Sequence, residues 1–398
     1  MGGILSSLNT SYTGLKTSQV MVDVTGHNIS NANSEFYTRQ RVVTGNAYPI
    51  NMGGEYNLGQ GTEIITIERI HDEFVFQRYS KAISEKEFYE TQEQALRETS
   101  SYYPEIDSIG IYNDLKNYFD SWKNLANKPG DPAQKLVLAQ YTETMVQNIR
   151  DTRSKIFDIQ EKLNGEVKIA IEEINRIGKD IAELNKKIAN MESNIVNVKA
   201  NDLRDRRDQL ELALNKLVEI TVFKNGTKSN AITDTNSADF GENYILSIAG
   251  NVLIDGNGFH PFKISNENNP NGFYSIYHVD QAHKEIDVTG SIRGGKVGAL
   301  IDLSHSTEQN QRIDARLGKL QNYIDDLDTF ARTIIEATNN IYAETSQKEM
   351  VSDTMDIKGK DRVTYSGLNI VPGSFDIVMY DGVGQEIGRK TITIDKNT

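Results

Sequence analysis

Two hydrophobic rhythms alternate along this chain, one of period near 3.5 and one of period 2. The first opens it. Leu8, Leu15, Val22 and Ile29 recur every seven residues, with Ile4, Leu5 and Tyr12 near the intervening positions. Such a stripe predicts an amphipathic helix of about seven turns that lies against another helix. Gly26 and a short polar run holding Asn28, Asn31 and Asn33 close it, because Asn and Ser compete for backbone hydrogen bonds and tolerate turns. Residues 47–61 are rich in Gly and Asn and read as a loop or short hairpin. A helical pattern resumes around Ile64 and runs towards residue 103 through Phe74, Arg78 and Phe88. A further helix is predicted over 111–127, with Leu115, Tyr118, Phe119, Trp122 and Leu125 on one side. The run NKPGDPAQ breaks it, and Asp131-Pro132 starts the next.

The strongest periodic signal follows. Met145, Ile149, Thr152, Ile156, Ile159 and Leu163 alternate steps of four and three; after one four-residue step near Gly165 the pattern continues from Val167 through Ile174, Ile181, Ile188, Met191 and Ile195 to Val198. A seam of that length with one stutter predicts a long rod-like helix. A second seam runs through Ile313, Leu317, Leu320, Ile324, Leu327, Ala331, Ile334, Thr338 and Ile341, and the two are expected to pack on each other. Between them, from about residue 220 to 288, the period changes to 2. Alternating runs at 244–248, 252–254 and 273–279 are separated by AGN, DGNG and NNPNG, which is turn chemistry. Alternation returns at 374–380 and 390–394, and the sequence stops with that second β region hardly begun, so the chain reads as a fragment.

The fold class that results is mainly α with inserted β domains: an elongated, coiled-coil-like helical bundle with an N-terminal heptad helix and small outer β domains. The expected divisions are 1–46 for the terminal helix and its linker, 47–218 plus 292–346 for the bundle, 219–291 for an inserted β domain, and 350–398 for the start of another.

Composition narrows what such a molecule does. At 398 residues and 44.7 kDa, roughly two to four domains are expected. A net charge of -13 and pI of about 5.1 argue against nucleic acid, whose binding needs clustered Lys and Arg. With no cysteine there is no disulfide, thiolate metal site or cysteine nucleophile. No apolar run approaches the roughly 20 residues of a membrane span, so no membrane insertion is expected. The start MGGILSSLNTSYTG lacks the basic and apolar regions of a cleaved secretory signal.

Candidate chemistry is thin. GSIRGGKV, 290–297, nearly fits the phosphate-cradling G-x-x-x-x-G-K-S/T, but Val297 stands where a hydroxyl would ligate magnesium; a turn from the β domain back into the bundle is the better reading. DGVGQEIG lies inside a hairpin pattern and reads as a loop. His278 and His283 match no metal spacing. The run DLRDRRDQLE, 202–211, reads as an exposed, charge-laced helix face supported by i,i+4 pairs. Neither a catalytic constellation nor a cofactor site assembles, and an enzyme is not expected.

One stretch carries a resemblance. NISNANSEFYTRQ resembles the signature of the axial proteins of bacterial flagella, approximately Asn-Ile-Ala/Ser-Asn-Ala-Asn-Thr-x-Gly-Tyr-Ser/Thr-Arg-Gln. Asn28, Ile29, Asn31, Ala32, Asn33, Tyr37, Arg39 and Gln40 match, while Glu35-Phe36 depart from the usual Pro-Gly. DLKNYFDSWKNLANKPGDPAQKLVL and ANDLRDRRDQLELALNKLVEITV are similar to stretches of the first hook-associated proteins, the hook–filament junction family. That resemblance implies a structural protein of many copies in a tubular assembly, with Leu8, Leu15, Val22, Ile29 and the matched motif residues mediating self-assembly. It implies the hook protein, the next junction protein, the flagellar export apparatus and an export chaperone as partners. It also implies an extracellular place on the flagellum, reached by flagellar secretion. The seams alone equally fit a secreted coiled-coil interaction protein, an effector or adhesin.

Overall fold

The computed structural model describes residues 2–51, 57–102, 109–194, 198–225, 243–267, 272–279, 284–304, 318–344, 371–381 and 385–395. Two compact units divide it, Met1–Thr333 and Ile334–Thr398. In chain order the first holds α1 (Gly2–Ser30), β1 (Gln40–Asn46), β2 (Ile50–Asn51), β3 (Asn57–Leu58), β4 (Thr62–Arg69), α2 (Glu73–Ser101), α3 (Ile111–Asn127), α4 (Pro132–Asn194) and α5 (Asn201–Leu217). There follow β5 (Ile220–Asn225), β6 (Asn243–Ile248), β7 (Asn251–Asp255), β8 (Gly258–Phe259), β9 (Phe262–Ser265), β10 (Ser275–Val279), β11 (Glu285–Asp287) and α6 (Gly295–Ser304). Helix α7 (Lys319–Glu344) begins in the first unit and ends in the second, which also holds β12 (Gly373–Tyr380) and β13 (Glu386–Ile394), an antiparallel pair.

Helix α4 is 63 residues long, about 95 Å at 1.5 Å per residue. Its seam is the spine of the core: Met145, Ile156, Ile159, Leu163, Val167, Ala170, Ile174, Ile177, Ile181 and Ile188 are all buried. The helix passes Gly165 unbroken, and the four-residue step there keeps the stripe facing its neighbours. The seam ends sooner than its spacing predicts. Met191 is exposed, Val198 lies beyond the helix, and Ile195, like Ile313 and Leu317 of the other seam, lies outside the described residues.

Helices α3, α6 and the first part of α7 cover α4. Val297, Leu300 and Ile301 of α6 and Leu320, Ile324 and Leu327 of α7 join its core. Arg153 of α4 grips Asp328 with two hydrogen bonds of 2.7 and 3.1 Å, so the two seams do meet. On α3, Tyr118 is buried with Trp122 edge-on to its ring, but Phe119 points to solvent instead of joining the same apolar side.

The period-2 region forms two antiparallel sheets, of order β5-β6-β7-β8 and β11-β10-β9. Three asparagines on α4 hold them. Asn175 gives its amide to the carbonyl of Phe262 at 2.8 Å and accepts that residue's N–H at 2.9 Å, pairing as a strand residue would. Asn164 accepts from Tyr274 N–H at 2.8 Å, and Asn185 donates to the carbonyl of Gly256 at 2.8 Å. Spacings of ten and eleven, close to three helical turns, put all three on one face.

One expected element is wrong. The segment from Ile64 does not start a helix; Thr62–Arg69 is β4, paired antiparallel with β1 from Gln40↔Arg69 to Asn46↔Thr62. The helix begins at Glu73, capped by the Asp72 side chain accepting from Val75 N–H at 3.1 Å.

Candidate assembly surface and its joint

Helix α1 rests on the β1–β4 hairpin through a polar stripe. Thr17 is buried with its hydroxyl 3.2 Å from that of Thr62, and Asn9 donates to the Gln60 side chain at 3.3 Å. Gly61 makes the approach possible: at φ +94° it stands so close that a Cβ would meet the Thr13 hydroxyl at 2.2 Å. Each helical residue turns about 100°, so Leu15 and Val22 lie on the side opposite Thr17. Leu8, Leu15, Val22 and Ile29 are 65%, 69%, 69% and 71% exposed, with Tyr12 beside them. Among the described residues nothing covers this seam.

At the end of α1 the motif residues converge. The Asn28 amide donates to the carbonyl of Gln40 at 2.9 Å, and its oxygen accepts the Gln40 N–H and the Tyr37 hydroxyl at 2.8 Å each. One side chain thereby satisfies the backbone where β1 begins. The Tyr37 oxygen is also 2.9 Å from Nδ1 of His27, whose ring stands edge-on to it. Burial, then the charges of Asp202 and Asp205, push the Tyr37 hydroxyl above its ordinary range, so it stays a neutral donor. Asn31 donates to the carbonyl of His27 at 3.0 Å and finishes the helix. Asn33 and Arg39 are exposed, and Arg39 joins through its backbone, its carbonyl accepting from Ile70 N–H at 2.8 Å. The Glu35-Phe36 turn closes with Tyr37 N–H on the carbonyl of Ser34 at 3.2 Å. It uses no left-handed residue, so the Pro-Gly usual in the motif is not needed here.

The partner of this motif is the charged run 202–211, which is not the solvated face its alternating signs predict. Asp205, Arg207, Asp208 and Glu211 are buried. Gln40 donates to Asp202 at 3.1 Å, Thr38 N–H donates to Asp205 at 3.1 Å, and Asn201 donates to the carbonyl of Ile67 at 2.9 Å. Arg69 at the end of β4 spans Asp205 at 2.6 Å and Asp208 at 2.8 Å. Lys224 lies 3.2 Å from Asp208, 3.0 Å from Glu211 and 3.4 Å from Glu73. Deeper still, Arg207 lies 4.5 Å over the Tyr244 ring and donates to Asn185 at 3.0 Å, while the Tyr244 hydroxyl donates to Glu211 at 3.1 Å.

Burial raises the carboxyls of Asp208, Glu73 and Glu211, and the cations decide which way each ends. Asp208 ends below its ordinary range because Lys224 and Arg69 outweigh burial. Glu73 likewise ends at about 2, held by His71 and Lys224. Fully buried Glu211 stays raised, Lys224 offsetting its burial only in part. The sequence held one signal for this site: Asp202, Asp205, Asp208 and Glu211 stand three apart, so like charges share a broad helix face and need cations opposite.

The glycine-rich stretch 290–297 serves packing. Gly294 and Gly295 have φ of +63° and +56°, and a Cβ on Gly295 would stand 2.4 Å from the nitrogen of Val218. The carbonyl of Arg293 accepts Glu219 N–H at 3.1 Å, and Lys296 pairs with Glu166 of α4 at 2.8 Å, so the loop is spent on the end of α5 and on α4. His278 lies 3.2 Å from the carbonyl of Val252; His283 and residues 382–384 within DGVGQEIG lie outside the described residues. Among the described residues no acidic, His or Cys group is arranged to hold a metal, and no helix is long and apolar enough to cross a membrane.

Residues 96–348, more than half of the chain, match the family model of the flagellar hook-associated protein FlgK helical domain. The chain belongs to this family. It is 25% identical over 378 residues to flagellar hook-associated protein 1 of Bacillus subtilis, covering 90% of this chain and 71% of that protein. The protein of the same name from Salmonella typhimurium is 25% identical over 296 residues, 73% of this chain and 51% of that one. The chain thus spans between about half and seven tenths of the length of these two relatives. A solved structure, the flagellar hook junction protein FlgK from Burkholderia pseudomallei, aligns with a TM-score of 0.45 at 18% identity, over 56% of this chain and 38% of that one. Within the FlgK match fall α3, α4, α5 and the run 202–211; α1 and its exposed seam precede it.

Proposed function

We propose that this chain is a structural component of the bacterial flagellum that polymerises between hook and filament and allows the filament to assemble. Membership of the FlgK hook-associated family is the observation that carries the reading. The exposed seam supplies the physics. Four large apolar side chains in a row, on a helix whose other face is already docked, favour burial against another helix. A surface that pairs with a different surface of the next copy builds an open-ended or tubular array instead of a closed dimer. Leu8, Leu15, Val22 and Ile29 are the assembly residues in this account. Asn28, Asn31, Tyr37 and Gln40 hold the helix end in shape, and Asn33 and Arg39 remain free to meet neighbouring copies.

In this reading residues 1–46 form the inner layer of the tube and the bundle stands outside it, with the β region 219–291 outermost. The hook protein and the next junction protein are the axial neighbours. The chain reaches its extracellular place through the flagellar export apparatus, served by an export chaperone. Its role is mechanical and needs no catalysis or cofactor.

Deleting the gene in its host and viewing the cells by electron microscopy tests the reading. Complete hooks without filaments, with flagellin released into the medium, are expected; normal filaments would overturn it.

A further inference from the structure

We propose that the buried charges between α5 and the hairpin, Arg69 with Asp205 and Asp208, form a positioning clasp that sets the angle at which the seam helix α1 leaves the bundle. The proposal deepens the junction reading, and its consequence for assembly rests on that reading.

The hydrophobic core does not hold the arm. No residue of α1, β1 or β4 belongs to the described hydrophobic core or packs on its edge. Apolar burial is non-directional and would leave the arm's angle loosely set in any case. The arm is joined to α5 by polar groups at fixed geometry instead: Arg69 to Asp205 and Asp208, Thr38 N–H to Asp205, Gln40 to Asp202, and Asn201 to the carbonyl of Ile67.

The ion pairs among them are largely desolvated, the side chains of Arg69, Asp205 and Asp208 being 10%, 11% and 8% exposed. Charge-assisted hydrogen bonds out of water are short, strong and directional, and breaking one partner strands the other. Asp205 is shared, accepting from Arg69 on one oxygen and from Thr38 N–H on the other, so it ties both ends of the motif-to-hairpin connection to one turn of α5. Asn28 then carries that orientation across Gln40 into α1. A chain of fixed polar contacts therefore runs from the bundle to the seam.

The absence of native cysteine allows a direct test. Ser18→Cys on α1 and Lys187→Cys on α4 are both exposed positions and accept spin labels away from the clasp. In the unpolymerised protein a single narrow distance is expected. Arg69→Met and Asp205→Asn should each broaden it into two or more populations, with the thermal unfolding of the bundle retained, while Arg69→Lys, which keeps the charge, should restore a single distance. An unchanged narrow distance in Arg69→Met would overturn the clasp. A broadened distance together with normal incorporation into junctions would overturn its role in assembly. Failure of the parent chain to reach junctions would count against the junction reading itself, and the distances in the monomer would still decide the clasp.

Discussion

Asn28 shows how much of the site depends on single polar side chains. It replaces a missing strand neighbour for Gln40, donating to its carbonyl and accepting from its N–H. Asn28→Ala leaves both backbone groups short of partners, at a cost of about 1–3 kcal/mol for each that stays buried. The check is the exchange rate of the Gln40 amide, which should rise sharply. Gly61→Val is a second test, since it puts a β-branched residue at positive φ and its Cβ 2.2 Å from the Thr13 hydroxyl. Release of α1 from the hairpin is expected, read as faster proteolysis of the first 30 residues with the bundle intact. Acid acts on the same joint. Glu73 and Asp208 are depressed acids, so what they contribute is present above the ordinary carboxylate range and lost as pH falls through their folded values, about 2 for Glu73. Raised Glu211 works the other way, binding a proton first and relieving the cluster on the way down. The joint should therefore stay closed through mild acid and open only as pH falls below the ordinary carboxylate range, measured as the distance between labels on α1 and α4 against pH. The motif asparagines were legible in the sequence. The burial of 202–211 was not, because alternating signs along the chain hid that its acids share one face and meet Arg69 and Lys224 from far away in sequence.

At the scale of elements, local pattern went furthest where the partner did not matter. The break at NKPGDPAQ separates α3 from α4 where Pro and Gly require it, and the seam of α4 is buried nearly as spaced. The run from Ile64 misled because Ile64, Ile65, Ile67 and Ile70 fit either period; pairing with β1 decides it, and that is a non-local fact. The asparagines that pin the sheets to α4 also escaped, since a polar residue on a helix surface announces no partner. Two glycines of α4 test this packing by contrast. Gly165 has open space at its Cβ position, so Gly165→Ala should stabilise by roughly 0.5–1 kcal/mol through helix propensity. Gly178 faces Phe259 at 2.9 Å and Leu253 at 3.0 Å, so Gly178→Ala should cost more than it gains as the β region is pushed from the helix. Denaturant midpoints of the two variants should move in opposite directions.

For the whole molecule, the first unit combines two kinds of attachment. The bundle is held by one continuous apolar core along α4, in which no described residue of the terminal arm takes part, and the arm is tied to α5 by polar contacts. Cooperative unfolding of the bundle should therefore be insensitive to changes on α1. The exposed seam gives that arm a reason to exist, since its apolar side chains gain cover only from outside the described chain. Complementing a gene-deletion strain with Leu15→Asp and Val22→Asp together tests that claim most directly. The double variant should be exported and its bundle should unfold like the parent's, yet the cells should carry hooks without filaments. Normal filaments from this double variant would contradict it.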